Sequence, residues 1–154
     1  GCTFTLRVRL PAAPAGATTA AEPAAEAGPL GLRVLVAEDY PVNQEVVREA
    51  LAVLGCTAVI VDDGQAALER YRGAPADFDA ILMDCRMPRL DGFEATTAIR
   101  NWETAARRAP VPIVALTAGA LATDRRRCTE VGMNGFVAKP LVLAELREAL
   151  AAVA

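Results

Sequence analysis

The sequence predicts an α/β fold, a doubly wound five-stranded parallel sheet with five helices. Two observations lead there. From Leu32 onward, short apolar runs alternate five times with segments of helix length. The runs are apolar throughout rather than at every second position, as strands are when helices cover both faces of a sheet. A third observation bears on chemistry: several runs end in a charged or hydroxyl residue.

Leu32-Arg33-Val34-Leu35-Val36-Ala37 has the length of a strand. Pro41 suits the first turn of the helix that follows, with Val42, Val46, Ala50, Leu51 and Leu54 expected on its buried face and Gly55 as its stop. Thr57 to Val61 is β-branched and strand-like, and Gly64 to Arg72 is a short helix carrying Ala67, Leu68 and Tyr71. Ala80-Ile81-Leu82-Met83 is a buried strand. Asp91-Gly92 opens a helix reaching about Ala106, assigned on residue type rather than on a clean apolar stripe. Val111 to Leu116 is a fourth strand, its Pro112 near the start, where a missing N–H is tolerated. A helix from about Ala120 to Val131 and a short strand at Gly135–Val137 follow. Leu143, Leu146, Leu150 and Val153 mark the last helix. The expected strand order is the flavodoxin-like 2-1-3-4-5, whose ligand site lies beyond the carboxyl ends of the strands.

Upstream of this domain, residues 1–10 alternate apolar and polar through Phe4, Leu6, Val8 and Leu10, the pattern of a half-buried strand. Residues 11–31 are mostly Ala, Pro, Gly, Thr and Glu and predict a flexible linker. The expected division is therefore 1–10, 11–31 and 32–154. The first residue is Gly rather than Met, so a piece of a longer chain is expected, and the start shows no signal-peptide architecture.

Composition narrows the function. The 154 residues are 53% hydrophobic and 23% charged, enough for a packed core. A net charge of −3 argues against binding nucleic acid or an anionic membrane by bulk electrostatics. No apolar run approaches the roughly 18–20 residues of a membrane helix. The chain has no histidine, which removes imidazole acid–base chemistry and histidine metal sites. Lys139 is the single lysine among 16 basic residues, which points to a position where a compact ammonium works and a planar guanidinium does not. Cys2, Cys56, Cys85 and Cys128 form no C-x-x-C pair, so reduced thiols and a cytoplasmic location are expected.

Glu38 and Asp39 end the first strand, Asp84 the third and Thr117 the fourth, and Lys139 follows the fifth closely. Each has a plainer role available: Asp39 or Thr117 as a helix cap, Glu38 as a solvated charge, Lys139 on the surface. Together they are harder to dismiss. A pair of carboxylates at 4 Å repels by roughly 4 kcal/mol at an effective dielectric near 20. A hard divalent cation relieves that repulsion, and oxygen ligands with room for water suit Mg²⁺. With Lys139 as a point charge and Thr117 as a hydroxyl donor, the cluster suits stabilisation of a transferring phosphoryl group, Asp84 being the nucleophile.

The motifs Val-Ala-Glu38-Asp39 with Pro-Val-Asn-Gln, Leu-Met-Asp84-Cys-Arg-Met-Pro88 with Asp91-Gly92, Ala-Leu-Thr117-Ala and Lys139-Pro140 resemble those of response-regulator receiver domains, over residues 32–154. The resemblance implies that Glu38 and Asp39 hold Mg²⁺ and that Asp84 takes the phosphoryl group. It further implies that the Arg86 backbone carbonyl completes the metal shell, that Thr117 and Phe136 form a switch, and that Lys139 contacts the phosphoryl oxygens. The Lys139–Pro140 peptide would be cis. The wording of several motifs is similar to receivers fused behind sensor histidine kinases, and residues 1–10 resemble the last glycine-box strand of a kinase ATP-binding domain. The implied partners are a phosphohistidine donor domain, upstream in the parent chain or in trans, and a downstream histidine phosphotransfer protein. Tyr40 and Gly119 depart from the residues usual in that group. Two other readings compete. A phosphohydrolase of the haloacid-dehalogenase kind needs a second acid where Arg86 stands, and a degenerate receiver that only docks partners should have lost an acid or the lysine.

Overall fold

The computed structural model describes residues 28–119 and 122–153. The strand expected at 1–10 and linker residues 11–27 lie outside the described residues. Five strands, β1 (Arg33–Ala37), β2 (Thr57–Val61), β3 (Ala80–Asp84), β4 (Ile113–Thr117) and β5 (Gly135–Ala138), form one parallel sheet in the order 2-1-3-4-5. Between and after them run α1 (Pro41–Val53), α2 (Gly64–Gly73), α3 (Gly92–Ala105), α4 (Ala122–Glu130) and α5 (Leu143–Ala151). A short 3-10 turn at Pro75–Asp77, absent from the sequence-based expectation, leads into β3.

Alternation along the strands splits the core into two layers. Leu35, Ile81, Met83 and Ile113 face α2 and α3, where Tyr71, Phe93 and Ile99 pack. Val34, Val36, Leu82, Val114 and Leu116 face α1 and α5, where Val47, Leu51, Leu146 and Leu150 are buried. The α3 segment lacks an apolar stripe because two of its buried positions are polar, Thr96 and Glu103. Thr96 returns its hydroxyl to the Gly92 carbonyl (2.7 Å). Glu103 accepts from the Tyr71 hydroxyl (2.8 Å), the Val111 N–H (2.7 Å) and the Arg100 guanidinium (2.7 Å), which joins α2, α3 and the approach to β4.

The inward face of α1 differs from the sequence-based expectation. Val42 and Val46 are 60% and 47% exposed, and the buried positions are Val47, Leu51 and Leu54. Val42 and Val46 lie on one apolar stripe and Val47, Leu51 and Leu54 on the next, and the helix turns the second stripe, with part-buried Ala50, onto the core. On α5, Leu143 is likewise exposed while Leu146 and Leu150 are buried.

Residues 28–31, grouped by composition with the linker, run against the domain. The Leu30 N–H donates to the Leu54 carbonyl (2.8 Å), and the Arg147 guanidinium donates to the Gly28 carbonyl (2.7 Å). Leu30 and Leu32 pack on the α1–α5 layer. Gly55 has φ +71, and any Cβ there would meet Pro29 at 2.3 Å, so the chain entering the domain crosses directly over the end of α1. Removing residues 1–27 is expected to leave thermal unfolding unchanged, because that stretch offers few core-forming side chains. Extending the deletion through residue 31 is expected to lower the midpoint by several degrees, from about 1–2 kcal/mol of lost bonding and apolar contact. Calorimetry on the two truncations separates these outcomes, and a drop on the shorter cut would show that the upstream residues dock.

Candidate active site

Each chemistry-bearing residue sits at the carboxyl end of a strand. Glu38 and Asp39 follow β1, Asp84 ends β3, Thr117 ends β4, and Lys139 follows β5, ahead of a cis Lys139–Pro140 peptide. Parallel strands put these ends on one rim, and Lys139 reaches across it. Its Nζ donates to Glu38 Oε2 (2.6 Å) and to Asp84 Oδ2 (2.7 Å). The two carboxylates are 0% and 8% exposed, so this is a shielded ion-pair cluster rather than a surface contact.

The remaining oxygens are shared out by backbone and amide donors. Glu38 Oε1 accepts from Asn43 Nδ2 (2.9 Å) and the Tyr40 N–H (3.3 Å). Gln44 Nε2 donates to the Glu38 carbonyl (2.7 Å) and to Asp62 Oδ1 (2.9 Å). The first turn of α1 therefore clasps the end of β1. Asn43 and Gln44 belong to a motif visible in the sequence, but their role emerges only from this clasp. Asp84 Oδ1 accepts from the Arg86 N–H (3.1 Å). Asp39 is exposed and lines an open cleft of about 560 Å³ with Cys85, Arg86, Met87 and Arg127. Asp39 does not cap α1; Tyr40 holds the cap position, without a side-chain bond.

Burial pushes the Asp84 carboxyl above the ordinary carboxylate range, against the pull of Lys139 and the Arg86 N–H, and the nearby Glu38 charge adds to the rise. Burial works against the Lys139 charge, yet its bonds to Asp84 and Glu38 outweigh that and hold its pKa above the usual lysine value. Glu38, Asp39 and Asp84 each offer an oxygen, all within 4.8 Å of one another. An all-oxygen donor set of this charge beside an open cleft fits a hard divalent cation.

Thr117 is buried, and its hydroxyl donates to the Gly119 carbonyl (2.8 Å) while accepting from the Gly119 N–H (3.3 Å). It closes a local turn and is not engaged with Asp84. Phe136 is 36% exposed, with the Arg125 guanidinium 4.2 Å from its ring centroid. The loop from Asp84 to α3 is held tightly. Asp91 and Glu94 form a reciprocal capping box, and a Cβ at Gly92 would come within 2.1 Å of the Asp84 carbonyl oxygen. Only glycine lets α3 start that close to the central carboxylate.

A family model described as the response regulator receiver domain matches residues 34–151. The chain belongs to the response regulator receiver family. This receiver is 47% identical to the receiver domain of a sensor histidine kinase from Pseudomonas aeruginosa PAO1, solved with a magnesium ion coordinated in its active-site cleft. That match covers 80% of this chain and 97% of the other, with a TM-score of 0.67. The receiver domain of Ssk1 from Saccharomyces cerevisiae, solved with the histidine phosphotransfer protein Ypd1, is 30% identical at a TM-score of 0.72, covering 80% of this chain and 88% of that one. The sensor histidine kinase GacS of Pseudomonas protegens is 40% identical over 109 residues, which are 71% of this chain and 12% of that kinase. The receiver thus spans about an eighth of the length of such relatives.

Proposed function

We propose that Asp84 accepts a phosphoryl group from a phosphohistidine in a Mg²⁺-dependent reaction, and that this receiver works in a phosphorelay as part of a hybrid sensor histidine kinase. The observation that carries the reading is the single ammonium of Lys139 bridging Glu38 and Asp84 beside a cleft that Asp39 leaves open. In the transfer, an Asp84 carboxylate oxygen bonds to phosphorus as the bond from phosphorus to the donor histidine nitrogen breaks. The imidazole leaves with that electron pair. Asp39, Asp84 and the Arg86 carbonyl would hold Mg²⁺, with Glu38 beside them, and the cation would offset charge on the transferring oxygens. Lys139 is placed to exchange its bond to Asp84 for one to a phosphoryl oxygen, and the Arg86 N–H keeps the carboxylate plane oriented. Four intact groups, two metal-side acids, the acceptor and the lysine, favour this over a domain that only docks partners.

The partner domain must bring its histidine over this rim. Tyr40, Val42 and Val46 on the first turns of α1 are exposed, and an apolar hollow lined by Val46, Val47, Pro140 and Leu141 borders Glu38 and Lys139. An apolar helical surface carrying the phosphohistidine suits it. The Ssk1 receiver, 30% identical to this chain, was solved with a histidine phosphotransfer protein, which supports a partner of that kind here. Among the described residues no helix is long and apolar enough to cross a membrane. The direct test incubates the receiver with a phosphorylated histidine carrier and Mg²⁺ and follows the label. Transfer to the receiver that Asp84→Asn abolishes is expected; transfer that survives this exchange would sink the reading.

Phosphorylation adds about −1.5 to −2 charges and strong acceptors at Asp84. Thr117 would give up the Gly119 carbonyl for a phosphoryl oxygen, opening space into which Phe136 turns and altering the α4–β5–α5 face. A shift from 1:99 to 99:1 needs about 5.5 kcal/mol, more than one charge-assisted contact and one hydroxyl bond readily supply. A partial shift is expected, with the resting state still visible. In NMR spectra of the beryllofluoride complex, Thr117→Ala is expected to erase the shift changes around Phe136, and their persistence would show that the coupling is absent.

A further inference from the structure

The loop that carries Arg86 is tied down by an ion pair that is not part of the acidic cluster. Arg89, within that loop, bonds through its guanidinium to Asp63, the residue that precedes α2. The Arg89 side chain is 72% exposed, but the Asp63 carboxylate is only 2% exposed. Asp63 Oδ1 is already committed to capping α2 through the Ala66 N–H (2.8 Å), so Arg89 is the counter-charge for Oδ2. Arg89 also has φ +67, a left-handed backbone that a residue with a Cβ disfavours, inside a tight turn closed by the Leu90 N–H and the Pro88 carbonyl (2.9 Å). The start of α2 leaves no slack beneath it: a Cβ on Gly64 would stand 2.5 Å from the Leu90 carbonyl oxygen.

We propose that Arg89, anchored by the buried Asp63, is a positioning residue for the metal-side loop. The pair holds residues 86–90 in a conformation they would not keep alone, so that the Arg86 N–H meets Asp84 Oδ1 and the Arg86 carbonyl faces the cation site. The inference rests on the phosphoacceptor reading above. An exposed ion pair alone would contribute little. Here the acid is buried, and removing the guanidinium releases a strained turn that directly follows the Arg86–Pro88 stretch bordering the cleft.

Four variants on the whole chain test it: Arg89→Ala, Arg89→Gly, Arg89→Lys and Asp63→Asn. Asparagine caps a helix about as well as aspartate, so the last removes the charge but keeps the cap. Glycine accepts φ +67 freely, so it removes the pair without adding strain. Two readouts are taken, the Mg²⁺ dissociation constant by calorimetry and the Arg86 amide shift and hydrogen exchange by NMR without metal. Arg89→Ala, Arg89→Gly and Asp63→Asn are expected to weaken Mg²⁺ binding about tenfold, to move the Arg86 amide and to speed its exchange. The two Arg89 exchanges strand the buried Asp63 carboxylate and also lower the unfolding midpoint, whereas Asp63→Asn unfolds close to the parent. Arg89→Lys is expected to recover most of the loss, and combining Asp63→Asn with Arg89→Ala to add little to either alone. Parent-like Mg²⁺ affinity in Arg89→Ala or Arg89→Gly, with an unmoved Arg86 amide, would overturn the proposal. Should the parent itself take up no Mg²⁺, the phosphoacceptor reading falls, while the metal-free Arg86 amide still decides whether the pair sets this loop.

Discussion

Exchange of Lys139 for arginine is expected to slow phosphorylation of Asp84 by about two to three orders of magnitude although the charge is kept. The ammonium donates to two carboxylates at 2.6 and 2.7 Å from a side chain only 22% exposed. A guanidinium is wider, planar and fixed in its donor directions, so it cannot take the same place between Glu38 and Asp84 and then turn to a phosphoryl oxygen. Alanine at this position has a second consequence. It strands two buried carboxylates without a cation, and metal-free stability is expected to fall by about 3–5 kcal/mol, part of it restored by Mg²⁺. Stopped-flow phosphorylation with a small acyl phosphate and urea titrations with and without Mg²⁺ measure the two effects. An arginine variant that phosphorylates at the parental rate would remove Lys139 from its assigned role.

Mg²⁺ at about a hundred times its dissociation constant is expected to stabilise the receiver by about 2.7 kcal/mol. Acidification is expected to abolish that gain. Asp84 is held above its unfolded value mainly by burial, so in the metal-free protein its contribution to stability is greatest below the ordinary carboxylate value and is lost as pH rises through its raised one. Metal binding needs the ionised form and runs the other way. The Mg²⁺-induced gain therefore grows as pH rises through the raised value of Asp84 and levels off above it. Asp39→Asn separates the opposing terms. It relieves repulsion at an exposed position, raising metal-free stability by about 1 kcal/mol, and it removes most of the response to Mg²⁺. Unfolding curves at several pH values, with and without the metal, check both signs. A variant that gains stability and keeps the full Mg²⁺ response would place the metal elsewhere.

The alternation of strands and helices and the rim of functional groups are legible because both follow from local patterns, and the strand order follows from the fold class they imply. An apolar run long enough for a strand, followed at once by Asp84 or Thr117, places that side chain at the edge of a parallel sheet whatever else the chain does. Lys139 stood out through its isolation among arginines. The α1 face is legible only in part: Leu51 and Leu54 are buried as expected, but Val42 and Val46 share the apolar character of Val47, and composition does not choose between neighbouring stripes. Contacts between distant loops leave no periodic trace. Asp63 with Arg89, or Glu103 with Tyr71 and Val111, are ordinary residue types whose pairing appears only once the sheet sets β2, β1, β3 and β4 in order. Thr96 and Glu103 show the same limit inside a helix: polar residues on a buried face erased the stripe that would have announced α3.

The phosphoacceptor assignment of Asp84 is tested most directly by the intact mass of the receiver after treatment with a small acyl phosphate. The parent is expected to gain the mass of one phosphoryl group with Mg²⁺ and none with a chelator, and Asp84→Asn to gain none in either case. A gain that appears without the metal, or one that the Asp84→Asn chain retains at the same stoichiometry, would contradict the assignment.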